Sequence, residues 1–181
     1  MVSGRPDVPK PMPHTHPCLT FRVAGARLAL RARHVAEVLP LMALERVPEA
    51  PRLIAGFLPV NDKVAPVIHL DRLLTLEPGS PPWDPQASLS HRILMIKTPD
   101  GPLGWFISEE AGVERFDLAK IIRLPVGHVL NSYAQWVIPR RPPEPSIVLL
   151  EPSRLLLEKE RRFIEQLRGR AEERLAALEL E

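Results

Sequence analysis

The 181-residue chain writes one local pattern twice. "CLTFRV", residues 18–23, alternates apolar and polar positions, "AG" offers a turn, and "ARLALRA" resumes a run that can pair back on the first. After residue 90 the same order returns as "HRILMIKT", the turn "PDG" and "PLGWFIS". Hairpins pair neighbours in sequence, so a chain that opens each half this way is bound to a β-rich fold with an internal pseudo-repeat. Short strands separated by turn residues favour small closed barrels over a sandwich of long strands. The proline-rich run "EPGSPPWDPQAS", residues 77–88, divides the halves.

Proline shapes the rest of the chain. Residues 1–17 carry Pro6, Pro9, Pro11, Pro13 and Pro17, which remove backbone donors and favour extended, unpacked chain, so a disordered tail is expected there. In "ARHVAEVL" the spacing of Val35, Val38 and Leu39 predicts one face of a short helix that Pro40 stops. "LMALERV" reads as a strand, "PEAPRL" as a turn, and "IAGFLPV" and "KVAPVIHL" as strands around the polar pair Asn61-Asp62. Pro59 and Pro66 inside those strands predict edge positions or bulges, because proline cannot donate to a ladder. The second half continues with "AGVERFD", "AKIIRLP", "HVLNSYAQWVI", the loop "PRRPPEP" and "SIVLLEP".

Residues 153–181 predict a helix. Ser153 offers a cap, Phe163, Leu167, Ala171, Leu175 and Leu178 form one apolar stripe, and Glu158 and Arg162 pair on the wet side. Its first turns are expected to dock on the domain while the rest stays solvated. A partner-binding role for the stripe is the alternative, with Gly169 interrupting it.

Charge and composition exclude several functions. Against 22 Asp and Glu stand 24 Lys and Arg, with no basic stripe to neutralise phosphates, so nucleic acid is not an expected partner. The pair Arg140-Arg141 lies among prolines and reads as a solvated loop. A single Cys18 allows no internal disulfide, the amino terminus lacks the apolar core of a signal peptide, and no apolar run reaches membrane-spanning length. A cytoplasmic protein without membrane insertion is expected.

Catalytic and metal-binding patterns are incomplete. His14, His16 and Cys18 in "HTHPC" lack a fourth ligand at zinc-like spacing. His69 and Asp71 share a strand face but have no Ser or Cys nucleophile in a recognisable elbow nearby; a small hydrolase built on either group is the rival from another class. Glu109 and Glu110 are adjacent and point to opposite faces of a strand, and nine glycines form no phosphate-cradling loop. Trp83, Trp105 and Trp136 are too scattered for a stacking platform; Trp105 is expected in the core and Trp83 on the connector. No catalytic residue, metal or cofactor is therefore expected, and the chain is read as working by surface contact.

The segment "CLTFRVAGARLALRARHVAEVLPLMALERVPEAPRLIAGFLPVNDKVAPVIHLDRLL" resembles the first half of CheW-like proteins, with "HVAEV", "VPEAPRLIAG" and "PVIHL" in the family order. "ILMIKTPDGPLGWFIS", "IIRLP", Tyr133 and "SIVLLEPSRLL" extend the resemblance to about residues 18–157. It implies a mainly β fold of two small five-stranded SH3-like β-barrels around a shared core, with short helices and a C-terminal α-helix. The first barrel is placed at about 18–76, the connector at 77–88 and the second barrel at about 89–152.

It further implies a non-enzymatic adaptor. Such proteins couple the cytoplasmic tip of a methyl-accepting chemoreceptor to the regulatory domain of a CheA-type histidine kinase, in chemotaxis or type IV pilus (twitching) signalling. A groove between the barrels receives the receptor's helical hairpin. Carried over by position, the partner-binding residues are Val35, Glu37 and Val38 of the "V-x-E" segment, then Leu58, Val60, Asn61, Asp62 and Lys63. Where the family reads Asn-Leu-Arg-Gly, this chain reads Pro59-Val60-Asn61-Asp62, and its "P-V-x-D-L" aspartate is His69. The alternative is a CheW-like interaction module that has lost receptor coupling and binds another protein, partly through its C-terminal helix.

Overall fold

A computed structural model describes residues 15–46, 50–60, 63–74, 76, 91–124 and 134–178. Strands β1 (Thr15–Val23) and β2 (Ala26–Arg31) form the first hairpin, and β6 (Arg92–Thr98) and β7 (Gly101–Ile107) the second, as the repeated pattern predicts. Between them lie β3 (Val35–Pro40), β4 (Ile54–Val60), β5 (Lys63–His69) and the short helix α1 (Leu70–Leu73). Then follow β8 (Glu109–Asp117), β9 (Ile122–Arg123), β10 (Ala134–Ile138), β11 (Ile147–Leu150) and the long helix α2 (Glu158–Leu178).

The strands form two sheets, ordered β8-β1-β2-β11-β10-β9 and β3-β6-β7-β5-β4. Each hairpin has crossed to the other half: β1 and β2 join β8 to β11, while β6 and β7 join β3 to β5. The joins are two parallel pairings, β11 with β2 and β5 with β7, and two antiparallel ones, β1 with β8 and β3 with β6. The expected boundary between a barrel at 18–76 and one at 89–152 therefore cuts through both sheets. Pairing between β1 and β8, from Arg22 with Glu109 to Thr15 with Asp117, is far beyond what the local pattern could reveal. One sheet has the expected five strands; the other gains a sixth, the two-residue β9.

Three apolar clusters show why the sheets hold together. Cys18, Ala29, Phe116, Ile138, Ile147 and Leu149 line one face of the six-stranded sheet. Leu58, Ala65, Val67, Ile93 and Met95 line one face of the five-stranded sheet. The opposite faces meet in the largest cluster, where Phe21, Leu28, Leu30, Phe57, Ile68, Leu94, Ile96 and Trp105 are fully buried. Each such side chain contributes about 1.5–3 kcal/mol, so the shared core dominates the energetics.

Three local expectations are corrected. Residues 32–39 are not a helix: Ala32–His34 is a single 3-10 turn, and Val35–Pro40 is the edge strand β3. Val38 lies opposite Leu94 of the shared core and Leu39 opposite Ile93 of the other face, so neighbouring apolar residues serve two cores and lose the period of two. The "LMALERV" strand reduces to one bridge, Glu45 to Phe57, whose two backbone hydrogen bonds measure 2.9 and 2.8 Å. The C-terminal helix begins at Glu158 rather than Ser153, which lies in a 3-10 turn. At that start the Leu157 amide donates to Glu160 Oε2 at 2.7 Å, satisfying one of the donors that a helix end leaves open.

Proline placement fits the sheet. Pro59 is exposed on the edge strand β4, and the parallel ladder of β5 with β7 begins at Val67, one residue beyond Pro66. The loop carrying Arg140 is tied down rather than free. Arg140 pairs with Glu114 and lies over the Phe116 ring, and Arg27 donates to Glu114 Oε1 at 2.9 Å.

Candidate partner-binding surface

The described residues carried over from the resemblance fall on the outer strands β3 and β4 of the five-stranded sheet and, for Lys63, at the start of the inner strand β5. On β3, Val35 lies opposite Ile96, Glu37 opposite Met95 and Val38 opposite Leu94, with an irregularity between Val35 and Glu37. Val35 and Val38 are half-buried against the shared core, whereas Glu37 is exposed. Met95 belongs to the other face, so Glu37 stands at the rim of the smaller cluster. A carboxylate there stays hydrated and free to meet a partner.

On the far side, β4 and β5 converge where Val60 pairs with Lys63. Leu58 is 5% exposed among Ala65, Val67, Ile93 and Met95, Val60 is half-buried against the same cluster, and Lys63 is exposed. The turn pair Asn61 and Asp62 lies outside the described residues, as do Trp83, Tyr133 and His14. Leu58 is thus buried in the sheet's packing, and of the described candidates Glu37 and Lys63 are the exposed charged groups.

Sequence reasoning missed a neighbouring hollow of about 200 Å3 lined by Leu41, Met42, Leu44, Ala55, His69 and Phe106. His91 stacks on Phe106 at 5.0 Å and His69 tilts against it at 5.4 Å. The exposed Met42 marks its lip. The apolar pair Leu41-Met42 directly after Pro40 was its only sequence signal.

The groups weighed for chemistry are held in ways that use them structurally. His69 Nδ1 lies 3.9 Å from Asp71 Oδ1, longer than a hydrogen bond. Burial, reinforced by Arg72 and opposed by Asp71, pushes the His69 pKa down to about 4, so its imidazole is neutral at neutral pH. Cys18 is buried inside the six-stranded barrel, and that burial, partly opposed by Arg31, raises its thiol pKa and disfavours the thiolate. Trp105 is fully buried, as expected, and Trp136 packs on the smaller cluster beside Cys18. Among the described residues no group of three or more His, Cys, Asp or Glu is arranged to hold a metal ion. No described helix is long and apolar enough to cross a membrane.

The helix α2 lies against the five-stranded sheet. Ile164, Leu167 and Ala171 enter the shared core, while Phe163, expected in the stripe, is 40% exposed. Arg168, a charge within the apolar positions, is instead buried on the sheet side. The side chains of Leu175 and Leu178 lie outside the described residues. Glu158 and Arg162 pair at 3.1 Å on the exposed side, as the four-residue spacing predicts.

Two comparisons bear on this arrangement. The profile of the CheW-like domain family matches residues 17–159. The crystal structure of the scaffolding protein TtCheW from Thermoanaerobacter tengcongensis superposes with a TM-score of 0.64 at 19% identity, covering 76% of this chain and 89% of that one. None of the curated proteins compared matches the sequence.

Proposed function

The chain belongs to the CheW-like domain family, and on that premise we propose that it is a non-enzymatic adaptor coupling a chemoreceptor to a histidine kinase. In this reading one partner is the cytoplasmic tip of a methyl-accepting chemoreceptor and the other the regulatory domain of a CheA-type kinase. The pathway is chemotaxis or type IV pilus signalling, and the setting is the cytoplasm. The observation that carries the reading is the family match over residues 17–159, supported by two small barrels sharing one apolar core. Such a body offers partners rims and clefts between rigid sheets, and on its described rims Glu37 and Lys63 are the exposed candidates.

Calorimetric titration with a kinase regulatory domain and a receptor tip encoded in the same genome tests the proposal. Glu37→Lys and Lys63→Glu are expected to weaken one partner about tenfold or more, since a charge facing its like repels, while leaving the unfolding midpoint unchanged. Wild-type-like affinity in both variants would move the contact elsewhere.

A second reading follows from the turn. An arginine there donates several directed hydrogen bonds to a receptor, and Pro59-Val60-Asn61-Asp62 contains none. A chain that kept the kinase contact and lost the receptor would bind the kinase domain alone. Asn61→Arg separates the two readings: restored or tightened receptor binding places the contact at this turn, and no change favours the module without a receptor.

A further inference from the structure

Helix α2 lies largely beyond the stretch that matches the family. The family match ends at residue 159, and α2 continues to Leu178. Ile164, Leu167 and Ala171 share a cluster with Val64 and Leu103 of the five-stranded sheet. Arg168, 8% exposed, donates from Nη1 to the Asp100 carbonyl and to Glu165 Oε2, and from Nη2 to the Pro102 carbonyl at 3.3 Å. Glu172 Oε1 stands 3.4 Å from the Val64 amide, one residue from the rim residue Lys63.

That attachment is a short seam, with Ile164, Leu167 and Ala171 as its buried apolar contacts and open surface hollows beside it. Ile164 has hollows on two sides, one of about 300 Å3 walled by Leu103 and Leu156, the other of about 360 Å3 walled by Leu53, Ile54 and Phe163. Gly169 sits within the helix with nothing near the place a Cβ would occupy, so no close approach requires it, and it lowers helix propensity at the centre of the seam. Eleven of the 21 residues are charged, which keeps the detached segment hydrated. Because most of a helix's stability comes from packing on its neighbours, the segment unwinds when it leaves the sheet.

We propose that α2 is a removable cover. In the resting chain it fills, in cis, the apolar face bordered by Leu53, Ile54, Val64 and Leu103, and lifting it opens that face beside the β4–β5 turn. The incoming occupant is a receptor-tip helix, because the face already holds a helix with a narrow apolar stripe. This rests on the adaptor reading above. Binding then proceeds through the uncovered fraction, and the apparent dissociation constant is the intrinsic one divided by that fraction.

The test titrates a receptor tip encoded in the same genome into three full-length proteins: wild type, Gly169→Ala and Leu167→Ala. Amide exchange at Val64 is followed without partner as an independent measure of lifting. Gly169→Ala favours the docked helix and is expected to bind about fourfold more weakly, with slower exchange. Leu167→Ala empties the seam and is expected to bind about tenfold more tightly or better, with faster exchange. If Leu167→Ala loses its circular dichroism, the Gly169→Ala arm decides alone. Equal receptor affinities despite shifted exchange overturn the cover and leave the adaptor standing. Weaker binding by Leu167→Ala also overturns it, by making α2 part of the binding surface. Failure of every form to bind the receptor removes the receptor-coupling reading and the cover together.

Discussion

Replacing Leu58 by alanine separates packing from contact at the strand that the family resemblance assigns to partner binding. Leu58 is 5% exposed and is enclosed by Ala65, Val67, Ile93 and Met95. Three carbons leave the cluster, worth about 2.4 kcal/mol at roughly 0.8 kcal/mol for each buried methylene. The surrounding walls are hydrogen-bonded strands of one sheet, β4 to β5 and β6 to β7, which resist collapsing into the gap. A cavity term therefore adds to the transfer term and brings the expected loss to about 3–4 kcal/mol. With a urea slope of about 2 kcal/mol per M, the unfolding midpoint falls by about 1.5–2 M at unchanged slope. Affinity for either partner, measured where the variant is folded, is expected to change less than about twofold, because the side chain does not reach the surface. A midpoint loss worth under about 1 kcal/mol together with lost partner binding would refute this, and would return Leu58 to the contact surface.

Two further outcomes test the fold around the same surface. A Cβ at Gly56 would lie 2.6 Å from Leu44 Cβ and 2.8 Å from the Glu45 carbonyl oxygen, so Gly56→Ala must push away the segment that bridges to Phe57. The expected cost is about 2–3 kcal/mol in a urea titration, and an unchanged midpoint would show that this crossing is not close-packed. For His69, the folded pKa of about 4 lies below the ordinary 6.5, so the unfolded chain binds the proton first as pH falls. The stability associated with the neutral imidazole is full above pH 6.5 and is lost between there and about 4, by about 3 kcal/mol in total. In His69→Asn that share of the pH dependence is expected to vanish, and an identical profile would place the acid sensitivity elsewhere.

What the sequence made legible was local. Both hairpins could be read because their alternation and two- or three-residue turns are complete within 20 residues. The exchange of hairpins between sheets was not, since nothing near β2 announces that its other neighbour is β11. Val35, Val38 and Leu39 imitated a helical face because β3 packs apolar side chains against a core on each side. In α2 the apolar stripe was visible, but its rotation was not: Phe163 faces out, and Arg168 is buried because carbonyls of the β6–β7 turn receive its guanidinium. Ser153 looked like a cap, yet the helix starts later, at Glu158, where Glu160 takes the Leu157 amide. The candidate site was legible only through resemblance, since an exposed Glu37 or Lys63 carries no periodicity of its own.

Bridging is the claim on which everything else rests, and one sedimentation measurement addresses it. The chain is mixed with the receptor tip and the kinase regulatory domain, each pair and then all three, at concentrations near the weaker dissociation constant. The adaptor account predicts a species containing all three components that disappears when this chain is left out. Two binary complexes that never combine, or a receptor tip that sediments alone in every mixture, would contradict it.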